Sequence, residues 1–136
     1  MARKAKAYIL DAWAVIAYLE DEPSAPQIAD LIATAHDEHI PVYMTVVNVG
    51  EVWYTIAREI SEEDANASVK ELRDLRIQFE NADWTLTQEA ARLKSRYKMS
   101  YADCYAAALA ITKKGELVTG DKEFRSLGDQ IKIQWL

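Results

Sequence analysis

Four carboxylates stand out because each sits in a run that is otherwise apolar or small. Asp11 closes Tyr8-Ile9-Leu10 and precedes Ala12-Trp13-Ala14-Val15. Glu51 lies within Val46-Val47-Asn48-Val49-Gly50-Glu51-Val52-Trp53, Asp103 opens Asp103-Cys104-Tyr105-Ala106-Ala107-Ala108, and Asp121 follows Leu117-Val118-Thr119-Gly120. Desolvating a carboxylate is costly unless a partner compensates. Four acids in such contexts therefore point to one shared partner, and a hard divalent cation such as Mg²⁺ or Mn²⁺ prefers oxygen ligands. Several carboxylates can hold one such ion, or two roughly 3.5–4 Å apart, which activate water and stabilise the charge of an in-line phosphoryl displacement. The ions would also offset a mutual repulsion that otherwise raises the acids' pKa values.

Each acid also has a local explanation. Asp11 can cap a helix, Asp103 stands three residues after Ser100 as in a capping box, and Asp121 can serve a turn after Gly120. Glu51 resists such a reading because it falls inside a helix, on a face shared with Val47, Tyr54 and Thr55. Its structural alternative is an ion pair with Arg58. One metal site accounts for all four acids together.

The elements that must position them follow from pattern. A buried strand is expected at Ala7–Leu10 and a helix at Ala12–Leu19, stopped by Asp21-Glu22-Pro23. Ser24 and Pro26 start a second helix with the stripe Ile28, Leu31, Ile32 and Ala35. A strand at Val42–Met44 leads to a helix at about Val46–Ile60, and Ser61-Glu62-Glu63-Asp64 opens the next, carrying Ala65, Val69 and Leu72. Arg76–Phe79 is a weak strand. Thr85 and Gln88 read as a capping box for a helix reaching Tyr97, and Ser100 opens one ending near Lys113. Glu116–Thr119 and the alternating tail Ile131–Trp135 are strands, the tail as an edge. Short strands separated by helices give an α/β fold, with a mostly parallel sheet between helical layers. Active sites in such sheets lie at the carboxyl ends of strands, where Asp11 and Asp121 both fall.

Composition bounds the function. The chain has 136 residues, 50% hydrophobic and 28% charged, with formal net charge −6. That is one globular domain spanning 1–136, and a poor generic binder of nucleic acid, so action on a nucleic acid needs a local basic patch or metal. The lone Cys104 excludes an internal disulfide framework and zinc–cysteine clusters. Basic residues open the chain at Met1-Ala2-Arg3-Lys4, but Asp11 and Glu20-Asp21-Glu22 break the apolar run behind them. No signal peptide or membrane span is read, and the expected location is the cytoplasm.

Leu10-Asp11, Asn48-Val49-Gly50-Glu51-Val52, Tyr101-Ala102-Asp103-Cys104-Tyr105-Ala106-Ala107-Ala108 and Thr119-Gly120-Asp121-Lys122-Glu123-Phe124 together resemble the PIN-domain ribonucleases. They are most similar to the VapC toxins of toxin–antitoxin pairs. The resemblance spans essentially the whole chain and rests on order and spacing, since no single piece is specific. It implies a single PIN-like domain, a three-layer α/β/α sandwich around a parallel sheet. It also implies that Asp11, Glu51, Asp103 and Asp121 bind Mg²⁺ or Mn²⁺ and act in catalysis on single-stranded or looped RNA. The implied products carry a 5′-phosphate and a 3′-hydroxyl. The implied partners are a cognate antitoxin and a second copy of the chain, with no membrane. One departure is Ala12, where the family commonly has Ser or Thr. Asn48 and Thr119 are the polar candidates to support the acids.

Arg92, Lys94, Arg96 and Lys98 form a basic run ahead of Asp103 that can grip RNA phosphates, with Tyr97 and Tyr101 available for stacking. An ordinary solvated helix face fits that run equally well. Lys122 and Arg125 are further candidates for phosphate contact. His36 and His39 read as helix-end residues, and Cys104 as a packed thiol. Trp13, Tyr18, Trp53, Tyr54 and Ile56 are expected to leave some apolar surface for an antitoxin beside the acids. Two other functions compete: a PIN fold without catalysis that acts only by binding protein, and another acidic-site α/β protein. A receiver domain needs adjacent acids after its first strand, and Ala12 follows Asp11. The D-x-D-x-T pattern of haloacid-dehalogenase-like phosphatases is absent, since Trp13 and Val15 occupy those places.

Overall fold

The computed structural model describes residues 4–136. Residues 1–3 of the basic N-terminal segment lie outside them. Five strands form one sheet: β1 (Tyr8–Leu10), β2 (Val42–Thr45), β3 (Gln78–Glu80), β4 (Glu116–Thr119) and β5 (Lys132–Trp135). Their order is β3-β2-β1-β4-β5 and every pairing is parallel. The helices are α1 (Ala12–Leu19), α2 (Ala25–Asp37), α3 (Val46–Glu59), α4 (Glu62–Asp74), α5 (Trp84–Arg96) and α6 (Tyr101–Lys113), with a 3₁₀ helix at Lys122–Gln130.

Alternation along the strands builds the three layers. Ile9 and Leu117 face one side of the sheet and join Leu86, Ala90, Leu93, Leu109 and Phe124 from α5, α6 and the 3₁₀ helix. Leu10, Val42, Met44 and Val118 face the other and join Ala14, Ile28, Val52, Ile56 and Leu72 from α1 to α4. A period of two sends neighbouring side chains to opposite faces, so strands of three or four residues can bury both sides of the sheet. The alanine run of α6 is buried almost throughout, from Cys104 to Ala110. Small side chains let that helix lie close against β1, β2 and β4.

The expected elements are present, with three differences. Asp83, not Thr85, caps α5, since its carboxylate accepts the Leu86 N–H at 2.9 Å. Thr85 therefore lies within the helix and the Thr85–Gln88 capping box does not form. β3 begins two residues later than expected, because Arg76 takes φ 62° and Ile77 turns into the core. The segment after β4 winds into the 3₁₀ helix, broken at Gly128 with φ 56°. α6 ends with Lys114 in the left-handed position, φ 52°, and the Gly115 N–H donating to the Ala110 carbonyl at 2.9 Å. A Cβ on Gly115 would lie 2.7 Å from the Ala7 carbonyl oxygen, so glycine there permits β1 to pass closely.

From β1 the chain builds β2 and β3 on one side, then places β4 and β5 on the other. The crevice at the carboxyl ends of β1 and β4 is thus the point where the strand order reverses, the preferred ligand site of open parallel sheets.

Candidate active site

Asp11 leaves β1 at that crevice and caps α1. One carboxylate oxygen accepts the Ala14 N–H at 2.9 Å, and the other accepts the Thr119 hydroxyl at 2.5 Å from the end of β4. Only 1% of Asp11 is exposed. The same Thr119 hydroxyl accepts the Asp121 N–H at 3.0 Å, and Asp121 in turn caps the 3₁₀ helix through the Glu123 N–H. A single hydroxyl therefore ties the first acid to the fourth across the crevice.

A second polar chain fixes the other two. Thr45 ends β2 and caps α3 by accepting the Asn48 backbone N–H, while its hydroxyl donates to the Asn48 side-chain Oδ1 at 2.6 Å. The Asn48 amide then donates to Glu51 at 3.0 Å and to the Ala102 carbonyl at 3.1 Å, one residue before Asp103. Asn48 is fully buried. It thus aims Glu51 and anchors the first turn of α6 at once. Asn48→Ala will leave the Ala102 carbonyl without its buried donor and lower stability by about 2 kcal/mol, measured by urea denaturation.

Asp103, Asp121 and Glu123 bring carboxylate oxygens within 4.8 Å of one another. Glu123 lies in the Thr119–Phe124 piece of the sequence resemblance but is given no role there; the 3₁₀ turn brings it to Asp103 and Asp121. The Asp11 carboxyl is pushed up to about 7, chiefly by burial, with Asp121 and Glu51 adding to the rise and the Thr119 and Ala14 hydrogen bonds opposing it. Asp103 is also pushed up to about 7, by burial, then by contact with the Glu123 carboxyl and by Asp121. Burial first and Asp121 second raise Glu51, against the Asn48 amide. Asp121 thus raises Asp11, Glu51 and Asp103 alike, while the tight carboxylate cluster itself is Asp103, Asp121 and Glu123.

Among the described residues none of these five acids forms an ion pair with Lys, Arg or His. The Arg58 alternative for Glu51 does not form, since Arg58 lies over the Tyr54 ring. A dense, all-oxygen donor set without a protein cation has the chemistry of a hard divalent ion site. Asp11 and Asp121 do cap α1 and the 3₁₀ helix, whereas at α6 Ser100 is the cap and accepts the Asp103 N–H.

The other candidates divide. Arg92 pairs with Glu89, and the Lys94 ammonium donates to the Met99 carbonyl, leaving Arg96 and Lys98 exposed. Lys122 is exposed beside Asp121, whereas Arg125 lies over Trp135. His36 is half-buried and its Nε2 meets the Leu75 carbonyl at 2.7 Å, joining α2 to the end of α4. Cys104 is packed in the core. Trp13 and Tyr54 remain exposed, Trp53 donates to Asn66, and Ile56 is buried, so Ile56 contributes to the core and not to an apolar surface.

Residues 8–130 match the family model of the PIN domain. The chain belongs to the PIN domain family. No curated protein matches it in sequence. Solved structures share the fold of this PIN domain over nearly their whole length. VapBC2 from Rickettsia felis, bound to a DNA fragment of its promoter, is 17% identical, with TM-score 0.75 over 96% of this chain and 98% of that one. VapC20 from Mycobacterium tuberculosis, a toxin that cleaves the sarcin–ricin loop, is 18% identical, with TM-score 0.70 over 90% and 95%. VapBC-1 from nontypeable Haemophilus influenzae is 17% identical, with TM-score 0.71 over 95% and 97%. At these identities the likeness is one of fold. No helix among the described residues is long and apolar enough to cross a membrane.

Proposed function

We propose that this PIN domain, taken as the whole of residues 1–136, is a metal-dependent endoribonuclease toxin of the VapC type. Its substrate is single-stranded or looped RNA, its place of action is the cytoplasm, and a cognate antitoxin neutralises it. The observation that supports the reading is the Asp103–Asp121–Glu123 carboxylate cluster, with Asp121 also acting on Asp11 and Glu51 and no protein cation paired with any of them among the described residues.

Asp11, Glu51, Asp103 and Asp121 would hold Mg²⁺ or Mn²⁺, with Glu123 adjoining. The bound ion would supply water activation and stabilise the charge developing in an in-line displacement. Thr119 and Asn48 keep the carboxylates aimed by donating to Asp11 and Glu51. Ala12 does not leave Asp11 loose, because both of its oxygens already accept hydrogen bonds. That observation weighs against a PIN fold retained only for protein binding. Arg96, Lys98 and Lys122 are the exposed cations available to RNA phosphates. Unpaired RNA suits the crevice because its backbone can bend into a cleft and its bases are free to be splayed out. A homodimer and an antitoxin segment entering beside the acids, with an arginine meeting them, complete the proposal.

The test is cleavage of a panel of single-stranded and hairpin RNAs by the purified chain. Products with 5′-phosphates will form with Mn²⁺ or Mg²⁺ and stop on addition of EDTA. An intact panel, with Mn²⁺ binding demonstrated by calorimetry, would overturn the ribonuclease and favour the protein-binding alternative.

A further inference from the structure

Trp13 stands at the second position of α1, between two core residues' worth of apolar sequence and the acidic crevice, yet it belongs to neither half of the core. Ala14 and Val15, its successors, are buried, whereas Trp13 is 37% exposed. Its ring is nevertheless fixed. The six-membered ring lies against Gly120, where an added Cβ would come within 2.3 Å of Cη2 and 2.6 Å of Cζ2 and Cζ3. Gly120 does not occupy the left-handed region, so its backbone makes no demand for glycine. The space for the indole does. Gly120 in turn joins Thr119, which holds Asp11, to Asp121. The indole N–H has no hydrogen-bond partner among the described residues.

We infer that Trp13 is a stacking platform for one nucleobase of the RNA substrate, set by Gly120 so that the phosphodiester beside that base lies over the acidic crevice. The inference rests on the ribonuclease reading and adds a substrate-positioning residue to it. Electrostatics supply the physical need. A chain of net charge −6 with carboxylates crowded at the site repels the phosphates it must hold. Affinity near the cut therefore gains from a neutral contact beside the cations and the bound ion, and base–aromatic stacking is one, worth roughly 1–3 kcal/mol per base. An indole held against Gly120 yet 37% exposed loses little freedom on binding. A protein segment is the other conceivable occupant, and the test distinguishes it.

The probe is a fluorescein-labelled single-stranded RNA heptamer cut by the wild-type chain, with an abasic nucleotide moved through each position. Binding is read by anisotropy with Ca²⁺ in place of Mn²⁺, and cleavage with Mn²⁺. One abasic position will weaken wild-type binding by about tenfold. Trp13→Ala will weaken the intact heptamer by a similar factor and lose discrimination at that position only. Trp13→Phe will restore most of it. Gly120→Ala, which displaces the ring while leaving Trp13 in place, will reproduce the Trp13→Ala pattern. Folding of each variant is checked by circular dichroism melts. Wild-type cleavage with unchanged abasic discrimination in Trp13→Ala overturns the platform alone. The same result with lost capture of the antitoxin assigns the ring to the protein partner, and also overturns it. Failure of the wild type to bind or cut any RNA overturns the nuclease reading and the platform with it.

Discussion

Asp103→Asn will reduce RNA cleavage by on the order of 10³-fold or more while leaving the fold intact. The loss corresponds to the several kcal/mol that a metal contributes to stabilising charge in a phosphoryl displacement. Asp103 is the sharpest single test because its backbone role and its carboxylate role separate. The Ser100 hydroxyl caps α6 by accepting the Asp103 N–H, a bond that asparagine keeps. The carboxylate meanwhile lies with Asp121 and Glu123, where an amide brings no charge. Mn²⁺ affinity measured by calorimetry should fall in parallel. Retained cleavage with retained Mn²⁺ binding would remove Asp103 from the site. An unfolded variant is distinguished by its far-ultraviolet circular dichroism. Glu123→Gln provides the contrast: Glu123 is on the exposed rim, so its effect will be smaller than that of Asp103→Asn.

Much of this arrangement is legible in the sequence for a simple reason. Short strands flanked by helices leave little freedom in topology, and an acid following a strand must emerge at the carboxyl edge of a parallel sheet. Asp11 and Asp121 are read on that basis. The tail Ile131–Trp135 alternates and does form the edge strand β5. What pattern does not reveal is contact across the chain. Thr119 reaches Asp11 over 108 residues, and Asn48 reaches Ala102 over 54. No local spacing encodes either bond. Glu123 escapes notice although Phe124 and Leu127, three residues apart, do mark a helical face, because that spacing shows the buried side and not that the first turn brings Glu123 to Asp103 and Asp121. Asp83 outcompetes Thr85 as the cap of α5 although both residue types are good caps. A cap is decided by where the preceding backbone becomes extended, and that happens at Asp83. Ile56 illustrates the opposite limit. It lies on the same helix as the exposed Tyr54, and the two-residue step of roughly 200° carries it into the core. The local roles of Asp11 and Asp121 as caps, and of Asp103 as the residue whose N–H Ser100 caps, also look like rivals of a shared site. A cap uses one oxygen or one N–H, and the carboxylate has capacity left over.

The metal-free protein will be least stable at neutral and alkaline pH, and Asp11 is a principal cause together with Asp103. Its carboxyl moves from an ordinary value of 3.8 to about 7 on folding. A carboxyl raised on folding binds its proton more tightly in the native state. Its penalty is therefore absent below about 4, where both states are protonated. It grows as pH rises from there and is complete above about 7, reaching at most ~4 kcal/mol for this group. Asp103 shifts in the same direction and steepens the same window. Urea denaturation in EDTA between pH 4.5 and 8 should thus show stability falling as pH rises, the reverse of the usual behaviour of ion-paired carboxylates. Asp11→Asn removes the desolvated charge but keeps an oxygen for the Ala14 N–H. At pH 8 in EDTA its melting temperature will exceed that of wild type by about 5 °C, the effect of one to two kcal/mol in a domain of this size. Saturating Mn²⁺ inverts the comparison. Metal binding stabilises only the state that holds the ion, and the ion requires deprotonated ligands. Wild type will therefore gain stability with Mn²⁺ at pH 8 and little at pH 5, whereas Asp11→Asn will gain little at either. A wild-type profile in EDTA that is flat or rises with pH would show that Asp11 carries no such strain. An equal Mn²⁺ response in the variant would show that the buried acid at the end of β1 is not part of the ion site.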